Sequence, residues 1–223
     1  MPEASAQTAL LRLLAWLSPA FPVGSFSYSH GLEQAVDAGT VADRDALRSW
    51  IASLLEHGSA WNDAVLFAEA WRTASAGEPI GDIAELAQAL AGSAERHLET
   101  TAQGSAFTVA AGNWHQAQPF NLPANCPYCV AVAAVSAANG VPLEQALAAY
   151  LQAFVSNQLQ AAIRLSLIGQ ADAAALLAGL EADILSVARR AARSSLDDLG
   201  SATIAAEIAS MNHETQYSRL FRS

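Results

Sequence analysis

From Thr8 onward, Leu10, Leu11, Leu13, Leu14 and Leu17 form a broad apolar stripe at helical spacing. Ser18 and Pro19 stop it, because proline cannot donate to the helix ladder. Residues 19–24 read as a turn, and a helix is expected to resume near Phe26 and run to Gly39, placed as its left-handed cap. Asp43 is positioned to N-cap a helix whose Leu47, Trp50, Ile51, Leu54 and Leu55 share one face and which Gly58 ends. Asn62 opens another in the same way, carrying Val65, Leu66, Phe67, Ala68 and Trp71 to the loop residues Ser75, Gly77, Pro79 and Gly81.

Asp82 then begins a short helix to about Ala91, and Ser93 begins one that passes Leu98 and Phe107 to about Ala111. Residues 112–126 hold Asn113, Pro119, Asn121, Pro123 and Asn125, an irregular connection of a length that is uncommon without a task. A helix from Pro127 to Asn139 ends at Gly140, and Pro142 is placed at the first helical position of the next. There Leu143, Leu147, Tyr150, Leu151, Phe154, Val155, Leu159, Ala162 and Ile163 keep helical period, with Gly169 as the stop. Asp172 caps a helix to about Ser194, and a last short helix covers about residues 202–210. No stretch alternates in the way a strand requires and no fixed-period repeat is present. The expectation is an all-α, single-domain, bundle-like fold of about ten helices over residues 1–223.

Composition narrows the class of function. The chain is 52% hydrophobic and 14% charged, much of the apolar content being alanine, which favours close helix packing. A net charge of −10, from 11 basic and 21 acidic residues, repels phosphate backbones and anionic membranes, so neither nucleic acid nor a membrane surface is expected as a partner. Two cysteines make no disulfide framework and suit a reducing compartment. The apolar residues 9–17 follow Glu3 and are interrupted by Arg12, unlike a signal peptide, and no run approaches the roughly 20 residues of a membrane span, so the expected location is cytoplasmic.

Five constellations raise a question of chemistry. Cys126-Pro127-Tyr128-Cys129 has the spelling of a dithiol at a helix start, but that chemistry belongs directly after a strand in a βαβ unit, and no strand pattern is present. His30 with Glu33, His97 with Glu95 and Glu99, and His115 with Cys126 and Cys129 offer metal ligands, yet none supplies a closed set of three or four. Ser25, Ser27 and Ser29 lie near His30 without a nucleophile-elbow motif, and no P-loop is present. No catalytic residue, cofactor or resident metal is therefore assigned. A thiol-disulfide oxidoreductase using Cys126 and Cys129, and a nickel-binding metallochaperone, stand as alternatives to a binding protein.

The two ends of the chain carry the stronger signals. Around Phe21, Phe26 and Tyr28, two prolines and a glycine stiffen a segment that presents large side chains, either to the core or to a partner. Tyr217, Leu220 and Phe221 fall on one side of a would-be helix beside Arg219 and Arg222, residue types common at interfaces. Residues 18–33, read SPAFPVGSFSYSHGLE, and residues 210–221, read SMNHETQYSRLF, resemble the urease accessory protein UreF family. Residues 157–164, Gly169-Gln170, Glu99-Thr100 and Gln103-Gly104 extend the resemblance in the same order along nearly the whole chain, and the two cysteines depart from it. It implies an all-α, dimerising, non-catalytic factor that bridges the accessory protein UreD (UreH) and the GTPase UreG on apo-urease for nickel insertion. It further implies a partner-binding role for Phe26, Tyr28, His30, Glu33, Met211, His213, Glu214, Tyr217, Arg219, Leu220 and Phe221. Residues 210–223 are then expected to be a docking tail that folds as partners bind, since so short a helix is marginal alone.

Overall fold

A computed structural model describes residues 5–114 and 122–223. Helix α1 (Ala6–Trp16) leads through a 3-10 turn at Ser25–Ser27 to α2 (Leu32–Asp37), α3 (Arg44–His57), α4 (Ser59–Ser75), α5 (Gly81–Ala89) and α6 (Ala94–Ala111). After a second 3-10 turn at Gly112–Trp114 come α7 (Tyr128–Ala138), α8 (Leu143–Arg164), α9 (Gln170–Gly179) and α10 (Glu181–Ala191), then a third turn at Leu196–Asp198 and α11 (Ile204–His213). The described residues contain no strand, so the fold is all-α as expected.

Helix α7 explains the arrangement. Every residue from Cys129 to Ala137 is buried, and all are small or β-branched, so α4 and α6 close in on it from either side. Around this centre, α8 packs on α4 and α10, and α3 on α4, forming one continuous apolar core. Its largest buried side chains include Trp16, Phe67 and Phe107, each of which stabilises the fold by about 1.5–3 kcal/mol through removal from water.

Local signals for helix ends were reliable where side-chain chemistry is specific. Asp43 accepts the amide of Ala46 at 2.9 Å and Ser93 that of Arg96 at 3.2 Å, and Gly39 (φ 70°) and Gly140 (φ 67°) turn left-handed after their helices. Several boundaries differ from expectation. Helix α2 begins at Leu32 rather than near Phe26, because Gly24, His30 and Gly31 all hold positive φ and interrupt any helix there. Asn62 lies inside α4, its side chain instead accepting the amide of Gly200 at 2.9 Å. The stretch from Asp172 to Ser194 is two helices meeting at buried Leu180, and Gly169 is the N-cap of the first, since left-handed Ser166 has already ended α8. Pro142 sits one residue outside α8, as its N-cap. In α1 the inward face is Ala9, Leu13 and Trp16, leaving Leu10, Leu11 and Leu14 exposed. Leucine is a good helix former wherever it points, so the broad stripe overstated the burial.

Candidate functional site

The two end segments that stand out in the sequence are folded against one another. Helix α2 lies on α11 so closely that a Cβ on Gly31 would sit 2.7 Å from the Ser210 amide nitrogen, and Gly31 also holds φ 76°. Beyond α11 the chain does not form the expected helix; residues 214–223 are irregular, with bends at 217–218 and 220–221, and the last four lie against the start of α2. The Arg222 amide donates to the Ser27 carbonyl at 2.7 Å, and the Ser29 amide donates to the Ser223 carbonyl at 2.6 Å. Leu220 is 61% exposed and Phe221 5% exposed. The Phe221 ring lies under the Arg164 guanidinium, 4.3 Å from its centroid, and Arg164 also donates to the Phe26 carbonyl. Asn157 donates to the Tyr28 carbonyl at 3.2 Å, so α8 holds both segments.

Buried Glu33 is the anchor. Its Oε1 accepts the Leu220 amide at 2.7 Å, and its Oε2 accepts the Phe221 amide at 2.9 Å and faces His213 Nε2 at 3.0 Å. The other ring nitrogen of His213 faces Glu95 at 2.7 Å, and Arg219 reaches Glu95 at 2.5 Å. Replacing Glu33 by alanine strands two amides, each at a cost of about 1–3 kcal/mol if they stay buried. The tail can instead swing into water, which caps the loss. Glu33→Ala is therefore expected to speed amide exchange at Leu220 and Phe221 strongly while exchange in α7 stays slow; unchanged tail exchange would show that Glu33 is not the latch.

Beneath the latch lies a second, largely enclosed charge cluster. Glu99 meets Arg96 at 2.6 Å and His30 Nε2 at 2.9 Å, and accepts from Gln103 at 2.9 Å and from the Ser223 hydroxyl at 3.0 Å. Asp63 accepts the Tyr150 hydroxyl at 3.1 Å and stands 3.9 Å from Arg96. Burial alone raises the pKa of a carboxyl. At Glu99 the charges of Arg96 and His30 outweigh that burial and hold the group at about 2. At Asp63 burial wins over Arg96 and His30, and the pKa is raised. A cavity of about 490 Å³ opens beside this cluster, walled by His30, Asp63, Arg96, Glu99, Tyr150 and Phe154.

These contacts decide among the candidate chemistries. Glu33 and Glu95 both turn to His213, His30 turns to Glu99, and His97 is exposed, so neither His30 with Glu33 nor His97 with Glu95 and Glu99 is assembled as a ligand group. Among the described residues no group of three or more His, Cys, Asp or Glu side chains is arranged to hold a metal ion. His115, proposed with the cysteines, lies outside the described residues. Cys126 and Cys129 are unbridged, each 1% exposed in the core. Burial pushes the Cys126 thiol up to about 12 and Cys129 well above its ordinary value, the latter helped by Asp63. A thiol of that kind is almost wholly protonated at neutral pH and a poor nucleophile. Labelling with a thiol-specific disulfide reagent at pH 8 should accordingly be slow in native protein and complete in urea; rapid native labelling would restore the oxidoreductase reading.

Of the residues expected at a partner interface, Tyr28, Glu33, His213 and Phe221 face inward and His30 is largely enclosed, whereas Phe26, Met211, Glu214, Tyr217, Arg219 and Leu220 are exposed. Sequence reasoning passed over Asp63, Arg96, Tyr150 and Arg164 as parts of the site. Only the Arg96, Glu99, Gln103 spacing, which puts three polar groups on one face of α6, offered a local sign of them.

The UreF family signature matches residues 41–181. A urease accessory protein UreF from Mesorhizobium japonicum is 56% identical over 223 residues, covering the whole of both chains. A urease accessory protein UreF 1 from Brucella canis is 60% identical over 216 residues, 97% of this chain and 95% of its own length, and a UreF from Brucella ovis shows the same identity and coverage. The motifs at residues 18–33, 99–104, 157–164 and 210–221 converge on the locked end surface or on the helix contacts beneath it, and with this similarity the conclusion is that the chain belongs to the UreF family.

Proposed function

We propose that the protein is a urease maturation factor that acts by contact rather than catalysis. In this reading it is a cytoplasmic homodimer that bridges UreD (UreH) and the GTPase UreG on apo-urease, so that nickel insertion is coupled to the GTPase. Family membership and the names carried by its relatives support the maturation role. The absence of any membrane-length apolar helix among the described residues is compatible with the location. The observation that carries the bridging role is the presentation of the tail. The Glu33 latch holds the backbone of residues 220–221 in place, so that Leu220 and neighbouring Tyr217, the latter fully exposed, meet a partner from a segment already ordered. In this reading the tail docks from its latched form rather than through a partner-induced helix.

Tyr217→Ala with Leu220→Ala is the decisive variant, because neither side chain supports the core. It should change thermal stability by less than about 0.5 kcal/mol while abolishing co-purification with UreD, UreG or both and abolishing urease activation in a reconstituted system. Undiminished complex formation and activation would reject the proposal. Arg219→Ala is a poorer probe, since Arg219 pairs with Glu95 and touches the His213 carbonyl, so its loss also loosens the latch.

A further inference from the structure

All 11 basic residues of this acidic chain are arginines, and three of them crowd the end of α10. Arg189, Arg190 and Arg193, with Trp61 of α4 and Asp198, line an open groove of about 560 Å³. Cations in the last turn of a helix ordinarily answer its unpaired carbonyls. Here Arg72 from α4 does that, donating to the carbonyls of Ala192 at 3.3 Å and Ser194 at 2.8 Å. The three groove arginines are thus free of that role, and among the described residues none has a carboxylate within 4.0 Å, unlike Arg44, Arg48, Arg72, Arg96 and Arg219. Asp198 is the acid on the rim, and it is engaged in capping the Ser195 amide at 2.9 Å.

The groove is also stiff. Arg190 stacks 4.1 Å over the Trp61 ring and donates to the Glu56 carbonyl at 2.9 Å, while the Trp61 indole N–H donates to the Asp198 carbonyl at 2.8 Å. A guanidinium fixed in this way loses little freedom on meeting a carboxylate, which it matches two hydrogen bonds at a time. Exposed Leu185 precedes Arg189 by one turn, and exposed Leu196 follows Arg193 by three residues, adding apolar contact area to the charge. We propose that this groove docks an acidic segment of a partner protein, its carboxylates on Arg189, Arg190 and Arg193 and an apolar side chain against Leu185 and Leu196. A compact phosphate suits the site less well: Arg190 is already committed to Trp61 and the Glu56 carbonyl, and the groove lies at the carbonyl end of α10 rather than at an amide-bearing helix start.

The test is fluorescence anisotropy at low salt with a short labelled peptide of alternating Glu and Asp residues around one Leu. The peptide should bind the full chain, weaken as salt is raised, and bind the Arg189→Glu, Arg193→Glu double variant about tenfold more weakly or worse. Arg44→Glu, on α3 and paired with Asp172, should leave binding unchanged. Arg190 is left intact because it braces Trp61, and circular dichroism checks that the variants are folded. Equal binding by wild type and the double variant, or by a Gln/Asn version of the peptide, overturns the proposal. Tighter binding of inorganic phosphate, ATP or an oligonucleotide than of the peptide would overturn it in favour of a small-anion or nucleic-acid site. A loss of oligomeric mass in the double variant would do so in favour of a second copy of the chain.

Discussion

Gly104→Ala should be among the most damaging single-methyl changes in the protein. Gly104 lies in α6 where that helix crosses the entry to α7, and a Cβ there would stand 1.9 Å from the Cys126 carbonyl oxygen and 2.9 Å from the Tyr128 nitrogen. Both are backbone atoms, so no side chain can rotate away. The start of α7 is further tied to α6 by the Tyr128 amide, which donates to the Thr100 hydroxyl at 3.2 Å. Alanine is worth about 1 kcal/mol more than glycine in a helix interior, but overpacking costs about 1–3 kcal/mol and more when backbone must move. The steric term wins, and a loss of about 3 kcal/mol or more in urea unfolding is expected. Gly179→Ala, near the end of α9 with open space around its Cβ position, should by contrast be neutral or stabilising by up to about 1 kcal/mol. A Gly104→Ala chain as stable as wild type would mean that α6 and α7 do not approach as described.

Glu99→Ala should cost about 3–5 kcal/mol, the usual consequence of removing one partner from a buried ion pair. Arg96 would keep only Asp63, at 3.9 Å, and His30, Gln103 and the Ser223 hydroxyl would each lose an acceptor. The same residue sets an acid limit. Its pKa is lowered from 4.5 to about 2 in the fold. Its contribution, on the order of 3 kcal/mol, is therefore complete above pH 4.5 and lost as pH falls through 4.5 toward 2. Asp63 acts in the opposite sense, because its folded pKa is raised: its ionisation opposes folding at neutral pH, and that opposition is relieved on acidification. Comparing thermal midpoints of wild type and Glu99→Gln across pH 2–7 isolates the first effect from the other carboxylates. The two curves should converge as pH falls from about 4.5 toward 2; parallel curves through that window would show that Glu99 is not held ionised by Arg96 and His30.

The latch and the buried charge cluster also account for how the end segments differ from their sequence reading. Tyr28 and Phe21 are of a kind that serves a core or a contact equally well, and no local signal separates the two uses. In the fold Tyr28 is buried and Phe26, two residues earlier, is exposed. The tail read as helix because Tyr217, Leu220 and Phe221 have helical spacing. A bent, non-helical path wins because Glu33, 187 and 188 positions earlier, offers a buried carboxylate to the amides of Leu220 and Phe221. Such acceptors lie outside any window of local periodicity.

What the sequence by itself determined is the material that acts over a few residues: helical period in α3, α4 and α8, capping by Asp43 and Ser93, left-handed closure at Gly39 and Gly140, an all-α class, and the order of the UreF-like motifs. What only the tertiary structure decided is which polar groups meet. Glu33 with His213, Glu99 with His30, and Arg190 on Trp61 all depend on helices distant in sequence or on left-handed turns that aim side chains inward. The physical reason is one of range. Backbone hydrogen bonds and helix propensity are satisfied within a turn or two, whereas a buried charge must find its partner wherever packing of the core delivers one.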